Sequence, residues 1–286
     1  MSAHIFDDRL CFLGEGPLWH PERQQLFWFD IIGRTLLTRK GGDTGAWTFD
    51  DMVSAAGWID RDTLLVSSET ALIKLNLETR SREIVAKIDI GEGLRTNDGR
   101  ADPWGGFWFS SMGKKAEKDA GAIYRYYRGD VTKLFSSITI PNSICFTPDR
   151  RHGYFADTDR ALVKRVDLDS ETGAPVGEPE IYLDLSTDGL NPDGAIIDTE
   201  GNMWLAQWGA SRVAVYDPSG TLLKSVAVGA PHASCPAFGG ADLTTLYCTT
   251  AREGLDAEAL AEHPESGNVF FAEGVGRGQS EPAVIV

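Results

Sequence analysis

Asn142-Ser143-Ile144-Cys145-Phe146-Thr147-Pro148-Asp149-Arg150, followed after Arg151 by His152-Gly153-Tyr154-Phe155-Ala156-Asp157-Thr158, is the stretch that decides the fold. It reads as a polar residue, a short apolar strand, a Pro/Asp turn and a second, aromatic strand. The same pattern begins again at Glu15 (Glu-Gly-Pro-Leu-Trp-His-Pro), Ala55, Asn97 (Asn-Asp-Gly-Arg-Ala-Asp-Pro), Asp193 (Asp-Gly-Ala-Ile-Ile-Asp-Thr) and Ser234. Six copies, at intervals of 40, 42, 45, 51 and 41 residues, make this a repeat protein.

Every copy holds further strand signals. The second strand is a near-continuous apolar run, as in Leu26-Phe27-Trp28-Phe29, Phe107-Trp108-Phe109 and Met203-Trp204-Leu205, which suits a strand covered on both faces. A third run alternates with polar residues, as in Leu72-Ile73-Lys74-Leu75, and a fourth follows in all copies but the last. Four strands in about 48 residues, one sixth of 286, predict an all-β chain: a six-bladed β-propeller of four-stranded antiparallel blades, forming one domain over residues 1–286. The strand missing from the last copy is expected from Ala3–Cys11, from Ala283–Val286 or from both, so that the chain termini close the ring and remove exposed edges.

Three segments depart from the repeat. Lys114–Asp119 is charged and reads as a mobile loop over one face; residues 167–179 read as an outer turn; residues 251–267 hold the one short helix expected.

A formal charge of −15 and a pI near 4.7 argue against nucleic acid and anionic membranes as partners, because both require a basic surface. A small molecule or a metal ion is easier to accommodate, and nothing points to an obligate protein partner. The first eight residues carry neither the basic start nor the apolar run of an export signal, and no stretch approaches the ~18 apolar residues of a membrane span. Cys11, Cys145, Cys235 and Cys248 show no metal-type spacing and sit among apolar neighbours. Reduced core cysteines in a cytoplasmic protein are the expectation.

The first position of each copy carries the chemistry. Inner strands of a propeller line its channel, so Glu15, Asn97, Asn142 and Asp193 should converge at one mouth although they are far apart in sequence. Converging carboxylates need a compensating charge, and a divalent cation supplies it. An all-oxygen set suits Ca²⁺, Mg²⁺ or Mn²⁺, with Ca²⁺ taken first and Zn²⁺ or Fe²⁺ left open. Arg95 lies two residues before Asn97, hence on the same strand face, where its donor fork can hold a substrate oxygen or pair with Asp98 or Glu92. Glu69, Trp208 and His232 are weaker candidates for the pocket wall, and His20 reads as a packing residue.

With these residues in view, the sequence resembles the family of regucalcin (senescence marker protein), gluconolactonases and luciferin-regenerating enzyme, on the side of the bacterial sugar lactonases. The motifs are Leu13-Gly14-Glu15-Gly16-Pro17-Leu18-Trp19, Arg95-Thr96-Asn97-Asp98-Gly99, Pro141-Asn142-Ser143 and Pro192-Asp193-Gly194, in that family's order and across essentially the whole chain. The resemblance implies one divalent metal held by Glu15, Asn142 and Asp193, substrate contacts from Arg95 and Asn97, and Asp193 as general base in the hydrolysis of a sugar lactone. A substrate role for Glu117 in the loop is a further expectation. A metal-activated water competes with Asp193 for the part of base, since a coordinated carboxylate is a poor one. The rival readings are an esterase or phosphotriesterase on the same scaffold and a non-catalytic metal-binding propeller.

Overall fold

Each copy of the repeat folds into one four-stranded antiparallel sheet, and the six sheets stand round a channel as a six-bladed β-propeller; the computed structural model describes residues 1–286. The inner strands are Gly14–His20, Val53–Asp60, Leu94–Ala101, Pro141–Phe146, Asn191–Ile197 and Ala233–Gly239, so every copy begins where the sequence places it. Blades are numbered one to six in this order.

Six apolar clusters hold the ring, one in each seam between neighbouring blades. The second strands feed them from both faces: Phe27 and Phe29 pack toward blade two, while Leu26 and Trp28 pack toward blade six. That is why these strands lack alternation, and why Trp28, Trp108 and Trp204 are almost fully buried. Burying each such side chain contributes about 1.5–3 kcal/mol. On the rim Ile84, Leu222 and Leu223 are exposed, because outer strands have no neighbour beyond them.

The ring closes at one terminus only. His4–Asp7 pairs with Val269–Glu273 and becomes the outermost strand of blade six. The C-terminal residues, the other candidate for that strand, form no strand there. They cross the channel mouth where the inner strands end: Gln279 Nε2 donates to the carbonyls of Phe146 (3.2 Å) and Ile197 (3.0 Å), Val284 N to Trp58 O (2.7 Å) and Ile285 N to Gly105 O (2.8 Å). Pro282 has no N–H to give a ladder, and Glu281 forms a buried ion pair with Arg100 at the channel's end.

The loop expected to be mobile is tied at both ends. Lys114 pairs with Glu69 of blade two (2.7 Å) and Asp119 with Arg160 of blade four (2.6 Å), so the segment bridges its neighbours. Glu117 Oε2 accepts from Lys115 N at 3.1 Å, which turns that carboxylate into its own loop and leaves the expected substrate role without support. The helix is short, Ala257–Glu262, and Asp256 caps it by accepting from Ala259 N at 2.9 Å.

Candidate active site

Strand pairing is irregular near the start of every inner strand: between Glu15 and Leu18, Val53 and Ala55, Thr96 and Gly99, Asn142 and Cys145, Pro192 and Ala195, and Ala233 and Cys235. A bulge lets adjacent residues break the two-residue alternation and re-aims side chains. Here it reconciles two different registers. Glu15 and Asn142 are the last paired residues before their bulges, opposite Phe29 and Ala156, whereas Asn97 and Asp193 lie one step later, inside theirs. All four side chains nonetheless line one cleft of about 490 Å³ at the leading mouth of the channel, together with Arg95.

The other two first positions play a different part. Ala55 brings no polar group, and the Ser234 hydroxyl donates to Gly14 O at 2.5 Å, tying blade six to blade one.

Hydrogen bonds separate the two asparagines. Asn97 Oδ1 accepts from Arg95 Nη1 at 2.6 Å, and its Nδ2 donates to Pro141 O (3.0 Å) and to Asn142 Oδ1 (2.9 Å). Asn142 in turn donates from Nδ2 to Thr158 Oγ1 at 2.8 Å. The Asn97 amide is therefore engaged at both ends, while Asn142 Oδ1 keeps a lone pair for a ligand.

Glu15, Asp193 and Arg95 are all buried, yet no ion pair within 4.0 Å joins them. Burial, reinforced by Asp98, pushes the Glu15 carboxyl up to about 8. Burial, then the charges of Glu15 and Asp98, raises Asp193 well above the usual carboxylate range, and burial lowers Arg95. Two desolvated carboxylates with no ion-pair partner within 4.0 Å, beside an amide oxygen, are a donor set that a hard divalent cation fits. No three His, Cys, Asp or Glu side chains come together at metal-ligand spacing, and the third oxygen beside the two carboxylates in the cleft is the amide oxygen of Asn142.

Arg95 pairs with neither Asp98 nor Glu92; its Nη1 bonds Thr96 O (3.0 Å) and Asn97. Asp98 lies behind the cleft, accepting from Ile144 N (2.7 Å) and Gly99 N (2.8 Å). Glu69 is occupied by Lys114, and His20 is a packing residue whose Nε2 meets Asp60 O at 3.1 Å. Trp208 lines the cleft, and His232 stacks behind it with ring centroids 4.0 Å apart and planes 16° from parallel.

Glu253, Thr158 and Lys115 also line the cleft and were not among the candidate site residues. Glu253 lies in the 251–267 segment that departs from the repeat, and its side-chain direction has no local periodicity to betray it. Thr158 directly follows the aromatic strand His152–Asp157 and was legible only as a strand terminus.

Fold and cleft together define a six-bladed propeller with a carboxylate-bearing polar site at one mouth of its channel. The chain belongs to the SMP-30/Gluconolactonase/LRE-like family, whose model matches residues 13–252. A Rhizobium meliloti relative, whose name assigns it provisionally to the sugar lactone lactonases, is 41% identical over 99% of this chain and 97% of its own. The pentonolactonase of Haloferax volcanii is 36% identical, covering 93% of this chain and 90% of its own. Among solved structures, regucalcin from Agrobacterium tumefaciens, described as a calcium-binding protein, superposes with a TM-score of 0.97 at 36% identity, covering 100% of this chain and 98% of its own.

Proposed function

We propose that the protein is a carboxylic ester hydrolase that opens the lactone ring of a sugar acid with the help of one divalent cation, held by Glu15, Asn142 and Asp193. The observation that carries this reading is the pair of buried carboxylates with no direct ion-pair partner beside an amide oxygen, facing an arginine whose remaining donors are free. The kinship with lactonases supports the reaction class. The regucalcin likeness supports calcium as the first ion to try.

When bound, the cation supplies the electrophilic charge that polarises a lactone carbonyl. Asp193 accepts the proton of the attacking water as its oxygen bonds to the carbonyl carbon, and the proton passes to the ring oxygen as the C–O bond breaks. Arg95 donates to a substrate oxygen and fixes the ring against the carboxylates, while Asn97, whose Nδ2 protons are both used within the protein, has only the remaining lone pair of its Oδ1 to offer a substrate hydroxyl. The flat Trp208 indole, backed by His232, offers the C–H face of a sugar an apolar wall. The four free, buried cysteines support the reading that the protein works in the reducing cytoplasm.

The test is to strip the protein with a chelator and titrate it with Ca²⁺, Mg²⁺, Mn²⁺ and Zn²⁺ while acid release from gluconolactone, xylonolactone and arabinonolactone is followed. Activity should return with a cation and disappear in Asp193→Asn. Near-normal hydrolysis by that variant with metal still bound would sink the assignment.

A further inference from the structure

Thr158 follows the second strand of blade four, His152–Asp157, and sits on the cleft wall between blades four and five. Its hydroxyl meets two groups, Asn142 Nδ2 at 2.8 Å and the carbonyl of Pro192 at 2.6 Å. A carbonyl can only accept, so the single hydroxyl proton goes to Pro192 and the oxygen can only accept from Asn142. The other end of the network is equally one-directional. A guanidinium can only donate, so Arg95 Nη1 forces Oδ1 of Asn97 toward itself, and Asn97 Nδ2 then donates to Asn142 Oδ1 at 2.9 Å. The chain Arg95 to Asn97 to Asn142 to Thr158 to Pro192 has a fixed direction across three blades, and it ends on the carbonyl just before Asp193.

We propose that Thr158 is a positioning residue for the cation site: it holds the Asn142 amide with Oδ1 turned to the cleft and anchors the strand that carries Asp193. This rests on the reading that Asn142 and Asp193 hold a cation. An amide has one useful oxygen for a metal and one useless nitrogen, so the orientation of the group decides whether it is a ligand. Arg95 and Asn97 press on one side of that amide, and Thr158 is its only partner on the other.

The experiment measures Ca²⁺ affinity calorimetrically on chelator-stripped protein, with thermal melts as a check on folding. Thr158→Val should weaken binding by roughly 10–100-fold, the usual effect of losing a group that orients a ligand, and Thr158→Ser should restore binding to within about threefold of the parent. Thr158→Ala serves in place of Val if the latter does not fold. The decisive comparison uses Asn142→Asp, whose two oxygens are equivalent and leave no orientation to set. In that background the Thr158→Val penalty should shrink to about threefold or less. A Thr158→Val affinity within threefold of the parent overturns the proposal, as does an equal penalty in both backgrounds, which would mean the residue acts through the fold. A parent protein that binds no divalent cation is a different outcome: it removes the metal reading itself and the proposal with it.

Discussion

Arg95 donates to Asn97 Oδ1 at 2.6 Å, a link between two residues on one inner strand that leaves the Nε and Nη2 protons of the guanidinium without a protein acceptor. The side chain is 6% exposed and has no carboxylate within 4.0 Å, an unusual state for a buried arginine. Its charge is balanced at longer range by Glu253, Glu15 and Asp193. The free edge of the fork is thus held ready for an oxygen of another molecule.

Arg95→Lys keeps the charge and loses the fork. A hydrogen bond to a charged group is worth about 1.5–3 kcal/mol, so kcat/KM should fall roughly 10–100-fold, with folding unchanged. Steady-state kinetics on the best sugar lactone check this, and a lysine variant with parental kcat/KM would show that the fork is not used.

Cation affinity should depend on pH. In the stripped protein Glu15 titrates at about 8, against 4.5 for an ordinary glutamate. An acid whose folded value is raised binds its proton more tightly in the folded chain. Its contribution to stability is therefore intact below pH 4.5 and is lost as pH rises toward about 8. A cation must displace that proton and the one on Asp193, whose carboxyl burial and Glu15 also raise, so Ca²⁺ affinity should climb with pH by up to about tenfold per pH unit for each proton displaced. Calorimetric titrations at pH 6, 7, 8 and 9 measure the slope. Glu15→Gln should bind Ca²⁺ weakly and with a flatter profile.

Trp208 stacks on His232, whose Nδ1 meets Glu253 O at 2.9 Å and so holds the pair against the cleft. Trp208→Ala should raise KM about tenfold with a smaller change in kcat, since a stacking wall acts mainly on binding. His232→Ala should give the same pattern more weakly. A loss confined to kcat would contradict the stacking role.

At the far mouth Glu281 and Arg100 are paired while both side chains are largely buried, 8% and 11% exposed. Arg100 also donates to Ile144 O at 3.1 Å. Glu281→Ala leaves a buried guanidinium unpaired and should cost about 3–5 kcal/mol. The melting temperature should drop by roughly 6–20 °C while activity at 25 °C persists. The double change Arg100→Met with Glu281→Met should recover part of the loss, because it removes both charges.

Much of this architecture could be read along the chain. The number of blades follows from turn-bounded apolar runs that recur six times, and burial of those runs is a local property of each strand. Glu15, Asn97, Asn142 and Asp193 were legible for a related reason: a closed ring brings equivalent positions together whatever their separation in sequence. Arg95 followed from Asn97 through the two-residue strand period.

Other features depended on neighbours that local periodicity does not see. Either chain end had the residues to supply the last strand; His4–Asp7 does so, while the C-terminal segment is held at the opposite mouth by the ion pair of Glu281 with Arg100. The bulges shift Asn97 and Asp193 by one residue relative to Glu15 and Asn142, a displacement that strict alternation would turn away from the cleft. The likeness of the first positions in sequence likewise conceals their division of labour. Asn97 spends its amide on Arg95 and Asn142, Asn142 keeps one lone pair of its oxygen free, and Ser234 fastens one blade to the next. Residue type and spacing are enough to assemble the ring, but the direction of each hydrogen bond is set by groups on adjacent blades, and those meet only when the ring is closed.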